Sequence, residues 1–147
     1  MERAFEKISE GDSQLVSRVV SDQDIEMFAA ITGDHNPIHL QDDFARTTVF
    51  KSKIAHGILT AGLISAAIGK FPGVIVYYSQ TLSFRKPVRP GDEIEATAKV
   101  VEKNLDRDEL TLDTVCKNQR GEVVITGEAK VRVFEPDLPD LSRGEPQ

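Results

Sequence analysis

Asp34 and His39 stand five residues apart in the stretch ITGDHNPIHL, residues 31–40, with Pro37 between them. A carboxylate and an imidazole titrate in water at roughly 3.9 and 6.5, so near neutral pH each can accept a proton. A turn that brings the two together could hold one water between them. Such a pair can take a proton from water and return one to a substrate. The same residue types are also ordinary turn formers, so Asp34 reads equally as a turn cap and His39 as a half-buried surface residue. Asn36 reads as a brace that bonds its side chain to nearby backbone. His35 reads as exposed, because neighbours in an extended turn point different ways.

A second candidate lies at HGILTAGL, residues 56–63. Gly57 stands where an apolar helix begins. The first amides of a helix have no internal partner, and the positive end of the helix dipole lies behind them. Without a side chain at Gly57, a ligand carbonyl can come close to the backbone. That arrangement would serve as an oxyanion hole. His56 reads towards a structural role. Ser65, eight residues on, falls on roughly the same side as Gly57. In a buried helix its hydroxyl needs a partner.

Other chemistries lack their motifs. The sequence has no G-x-S-x-G elbow, P-loop or G-x-G-x-x-G fingerprint. His35 and His39 have the i, i+4 spacing of a helical zinc pair, but Pro37 between them argues against a shared helix face, and no metal is expected. Cys116 falls in a strand pattern and reads as core. Arg85, Lys86 and Arg89 form a basic turn that suits either phosphate or solvent.

These residues need elements to position them. QLVSRVV (residues 14–20) reads as a strand. SDQDIEMFAAITG (residues 21–33) reads as a helix with a capping box at Ser21 and Asp24 and a left-handed end at Gly33. Ile25, Phe28, Ala29 and Thr32 share one of its faces. The segment around DHNPIHL reads as a turn, a helical turn follows in QDDFARTTVF, and KSKIAHG is irregular. Gly57 to Phe71 is apolar on every side, the pattern of a buried helix. From Gly73 the period changes to two, giving strands separated by short turns: one long strand over VIVYYSQTLSFRKPV, then EIEATAKVV, LTLDTVCK and EVVITGEAKVRVF. An antiparallel meander curled around the long helix follows, an α+β arrangement. The helix face that the sheet leaves open would need cover, and a second subunit could supply it. Residues 1–134 read as one domain and 135–147 as a loose tail.

Composition narrows the function classes. The 147 residues are 39% hydrophobic and 29% charged, with a net charge of −6. That describes one soluble domain whose field repels polyanions, so nucleic acid is excluded as a partner. No apolar run is long enough to span a bilayer. One cysteine and a start without a signal-like apolar core give a cytoplasmic location as the default.

The stretch FAAITGDHNPIHLQDDFARTTVFKSKIAHGILTAGLISAAIG resembles the hydratase segment of MaoC-like proteins, and most of all the single-domain (R)-specific enoyl-CoA hydratases. The resemblance runs from about Phe5 to Phe134. It includes the D-x-N-P-x-H element at Asp34, Asn36, Pro37 and His39, the H-G pair at His56 and Gly57, and LSFRKPVRPGDEI. It implies a hot-dog fold, an antiparallel sheet wrapped around one long helix, usually paired as a dimer through sheet edges. It further implies reversible hydration of trans-2-enoyl thioesters to (R)-3-hydroxyacyl thioesters, with no cofactor required; the net charge of −6 disfavours an acidic acyl carrier protein and leaves CoA the favoured carrier. In that resemblance Asp34 and His39 are the catalytic pair, the Gly57 amide receives the thioester oxygen, and Ser65 matches a serine near the pair in some members. A thioesterase of the same fold is one alternative, although GILTAGLISAAIG carries no acidic residue on the central helix. A non-catalytic acyl-thioester-binding module is another, although binding alone needs no acid–base pair.

Overall fold

The structure is a computed structural model that describes residues 2–136. The expected tail therefore lies, for residues 137–147, outside the described residues. After a 3₁₀ turn at Phe5–Lys7, the elements run β1 (Ser13–Val19), α1 (Asp22–Thr32), α2 (Pro37–Leu40), α3 (Asp42–Arg46) and α4 (Gly57–Ile68). The strands β2 (Val74–Gln80), β3 (Ser83–Phe84), β4 (Glu93–Asn104), β5 (Glu109–Lys117) and β6 (Val123–Phe134) follow. The sheet is antiparallel in the order β1-β4-β5-β6-β2, with β3 also on β6. It curls around α4, which lies against β1, β4 and β5. This is the expected hot-dog arrangement.

Alternation along the strands builds the concave face. Ile94, Ala96, Ala98 and Val100 of β4 are buried, as their period predicts, and so are Leu110 and Leu112 of β5 and Ala129 and Val131 of β6. Alanines at the centre of this face leave room for a helix. From α4, Thr60, Ile64, Ala67 and Ile68 pack inward. The helix is not buried all round, however: Ile58, Gly62, Ser65 and Ala66 stay exposed on its opposite side. It also ends three residues earlier than Phe71. Gly69 N bonds back to Ser65 O, and Lys70 and Phe71 close tighter turns before Pro72, which disfavours helix in the residue before it.

α1 carries both expected caps. The Asp24 amide donates to Ser21 Oγ at 3.1 Å, the Ser21 amide donates to Asp24 Oδ2 at 3.2 Å, and Gly33 ends the helix at φ 79°. The Arg18 guanidinium of β1 bonds the same Asp24 and holds its carboxyl down at about 2, tying helix to strand.

The long strand expected over residues 74–88 is broken into β2 and β3, with a bulge between Tyr77 and Ser79. The reason lies across the sheet at Gly127. There the Thr81 main chain passes directly over β6: Thr81 N donates to Glu128 O, and Glu128 N donates to Thr81 Oγ1. A Cβ on Gly127 would stand 1.9 Å from the Thr81 carbonyl oxygen. Only glycine permits the crossing, and the strand has to leave its ladder to make it.

Gly127→Ala is expected to destabilise the fold by about 1–3 kcal/mol, since the backbone must shift to admit a methyl. A urea-unfolding midpoint equal to that of the wild type would show that the crossing is looser than described.

Candidate active site

The end of α1 begins the site. Past the left-handed Gly33, the Asp34 amide donates to Thr32 Oγ1 at 3.2 Å, and Thr32 in turn donates to Phe28 O at 2.7 Å. The Asp34 carboxylate accepts the Asn36 amide at 3.3 Å. Asn36 Oδ1 then accepts the Ile38 amide at 3.2 Å and caps α2, with Pro37 at its first position. The segment is thus not only a turn. The capped four-residue helix folds the chain back so that His39 and Asp34 meet. His35 is exposed, as expected, and Asn36 braces the loop, as expected.

The His39 ring is fixed from one side. Its Nδ1 lies 2.7 Å from Ile54 O, and a carbonyl only accepts, so Nδ1 carries the hydrogen. That leaves the Nε2 lone pair free to take a proton. Ligating atoms of Asp34, His39 and His56 lie within 4.8 Å of one another. The Asp34 carboxylate is therefore within one bridging water of a His39 nitrogen. Asp34 is exposed and His39 half-buried.

His56 is the residue that sequence reasoning undervalued. It is buried and immediately precedes α4. Its ring stacks on His39, with centroids 3.8 Å apart and planes 30° from parallel. Its Nε2 donates to the Asp34 carbonyl at 3.1 Å. Burial pushes its imidazole below the ordinary value. The bond to Asp34 O opposes that shift, and the neighbouring His39 adds to it. Only its place in the H-G pair pointed to it. The two histidines and Asp34 suit a metal ion poorly. Rings this close to parallel cannot both hold one ion in their planes, as imidazole ligation requires.

Gly57 opens α4, and its amide has no hydrogen-bond partner among the described residues. A Cβ there would stand 2.5 Å from Cε1 of Phe84, so the glycine is needed for Phe84 to lie against the helix start. Gly57 and His39 both line a cavity of about 440 Å³. Phe50, Ile54, Ile58, Phe84 and Val88 give it apolar walls, and Arg85 and Lys86 stand at its margin. Each cation of the basic turn has a partner: Arg89 bonds Phe50 O at 2.9 Å and Ser52 Oγ, Lys86 pairs with the Glu122 carboxylate, and Arg85 Nε donates to Thr126 Oγ1 at 3.3 Å.

Ser65 does not join this group. Eight residues at 3.6 per turn leave it roughly 80° round the helix from Gly57. It is exposed and lines a different depression, with Tyr77, Tyr78 and Leu82. Cys116 is core, as expected, and burial pushes its thiol up to about 12.

Known proteins share this arrangement of sequence and fold. The MaoC like domain model matches residues 5–123. A Rhodospirillum rubrum protein named (R)-specific enoyl-CoA hydratase is 45% identical over 131 residues, covering 88% of this chain and 90% of its own. A Methylorubrum extorquens protein named 3-hydroxybutyryl-CoA dehydratase is 47% identical over 138 residues, covering 92% of this chain and 87% of its own. The solved structure of the (R)-hydratase from Aeromonas caviae involved in PHA biosynthesis superposes with a TM-score of 0.85 at 37% identity, covering 88% of this chain and 99% of that one.

Asn36→Ala removes the cap of the helix that carries His39. Such caps contribute about 0.5–2 kcal/mol locally. The expected result is a several-fold loss of turnover with little change in the global melting temperature, because α2 is not core. Unchanged turnover would show that Pro37 alone holds α2 in place.

Proposed function

The chain belongs to the MaoC-like domain family, and from that premise we propose that it catalyses reversible hydration of trans-2-enoyl-CoA to (R)-3-hydroxyacyl-CoA. The observation that carries the mechanism is the convergence of Asp34 and a His39 ring held by Ile54, beside the free Gly57 amide. A water between the pair donates one hydrogen to the Asp34 carboxylate as a hydrogen bond and loses the other to His39 Nε2 as a proton. Its oxygen bonds to the β-carbon while the α,β double bond shifts electrons onto the thioester oxygen. The Gly57 amide and the α4 dipole stabilise that oxygen. The His39 imidazolium then returns the proton to the α-carbon, so the dyad ends as it began. Both additions occur from the dyad's side of the enoyl plane, which makes the addition syn.

The cavity's apolar walls and cationic margin suit a CoA thioester, with a neutral arm inside and phosphates outside. For a thioesterase the attack would fall on the carbonyl carbon. The dyad residues are the ones a hydratase needs, and α4 offers no carboxylate for that chemistry.

Asp34→Asn and His39→Ala are each expected to lower hydration of a short trans-2-enoyl-CoA by about 10²–10⁴-fold, the usual contribution of a general acid–base group. The folded variants should keep the wild-type circular dichroism. Turnover near wild type in either, or (S) product on chiral separation, would remove the reading. Free thiol release instead of hydration would favour the thioesterase.

Assembly follows from the surface. Strand β2 is a sheet edge with Val74, Val76, Tyr77 and Tyr78 exposed, next to the uncovered face of α4. An apolar edge of this kind invites pairing. A homodimer that joins β2 edges and buries that face is the expected state in solution. A monomer mass in sedimentation at micromolar concentration, with full activity, would refute it.

A further inference from the structure

We propose that His56 is a positioning residue that holds Asp34 and His39 in their working geometry, as a permanently neutral ring beneath the His39 imidazole. The proposal rests on the dyad reading above and adds a third residue to it. His56 touches both members by different means. Its Nε2–H grips the Asp34 main chain at 3.1 Å, and its face carries the His39 ring at 3.8 Å. Phe28 packs against it at 4.7 Å between centroids, and only 2% of its surface is exposed, so the ring has little freedom to move.

The charge state follows from geometry. The acceptor at Asp34 O fixes the hydrogen on Nε2. Nδ1 is buried and has no hydrogen-bond partner among the described residues. A second proton there would be a buried donor with nothing to receive it, a costly arrangement. Burial favours the neutral form in the same sense. A neutral aromatic face next to His39 matters during turnover. When Nε2 of His39 takes the proton from water, the resulting imidazolium lies on the face of an uncharged ring, a favourable contact for a cation. A charged His56 at that distance would repel it and lower the basicity of the dyad.

The two contacts can be separated by substitution. His56→Gln keeps a donor near the Nε2 position but removes the ring. His56→Phe keeps the ring but removes the donor. Misplacement of a reacting group by about 1 Å costs on the order of 10²-fold in rate. Each variant is expected to lose about that much in kcat with KM changed little. In a His39→Ala background, His56→Gln should cause no further loss, because a residue that acts through His39 has nothing left to position. Losses that multiply, or kcat within twofold of wild type in folded variants, would overturn the proposal. If His39→Ala itself retains activity, the dyad reading falls and this inference falls with it. If His39→Ala is impaired but both His56 variants are not, only this inference falls. Should the variants fail to fold, ¹⁵N-histidine NMR of the wild-type protein decides. His56 should appear as the Nε2–H tautomer and should not titrate around pH 6.5, the ordinary histidine value. A titrating His56 would overturn the proposal.

Discussion

The peptide of Ile54 holds the site from both sides. Its carbonyl accepts His39 Nδ1 at 2.7 Å, and its amide donates to Ile38 O at 3.3 Å, one residue earlier in α2. The next amide, Ala55 N, donates to Val88 O at 2.7 Å. A segment with no regular secondary structure thus links the dyad helix to the loop before β4. Arg89 secures the same segment further back, through Phe50 O and Ser52. A bond to an acceptor held by the main chain sets ring tautomer and ring position together. The first step of the proposed reaction depends on this bond, because it keeps the hydrogen on Nδ1 and leaves the lone pair on Nε2.

Helix chemistry was legible in the sequence because it is local. Ser21, Asp24 and Gly33 each act within one turn of their own position, and the structure repeats their reading residue for residue. The inward set of β4 was legible for the same reason, since alternation needs no partner to be seen. The broken strand was not. Its cause is contact between Gly127 and Thr81, far apart in the chain, and a lone glycine in a strand pattern does not say what will approach it. Ser65 shows a smaller failure. Eight residues is two turns plus a remainder, and that remainder turned the side chain towards β2.

The convergence of Asp34 and His39 was half legible. Spacing and Pro37 gave the pair and the turn, but not the fact that Asn36 would cap a helix to close it. His56 was the least legible, because its role is set by stacking and by a main-chain acceptor on another segment. Among the charged groups, Arg89 was read as one of three cations in a phosphate-or-solvent turn, yet the fold uses it to brace residues 50–52. Charge in a sequence marks where a cation is, while the structure decides what claims it.

The register of β1 on β4 pairs Ser13 with Lys99 and Val19 with Glu93. Every residue assigned to the site, from Asp34 to Gly57, lies in the chain between those two strands. Closing that long loop carries an entropic cost that only non-local contacts repay, and such pairings form slowly. A chain still emerging from synthesis can therefore cap α1 and α2, but it cannot fix the Ile54 segment, whose partner Val88 and supporting strand β4 come later. Loss of β4, or of the strands that pair with it, therefore removes the support of the site along with stability.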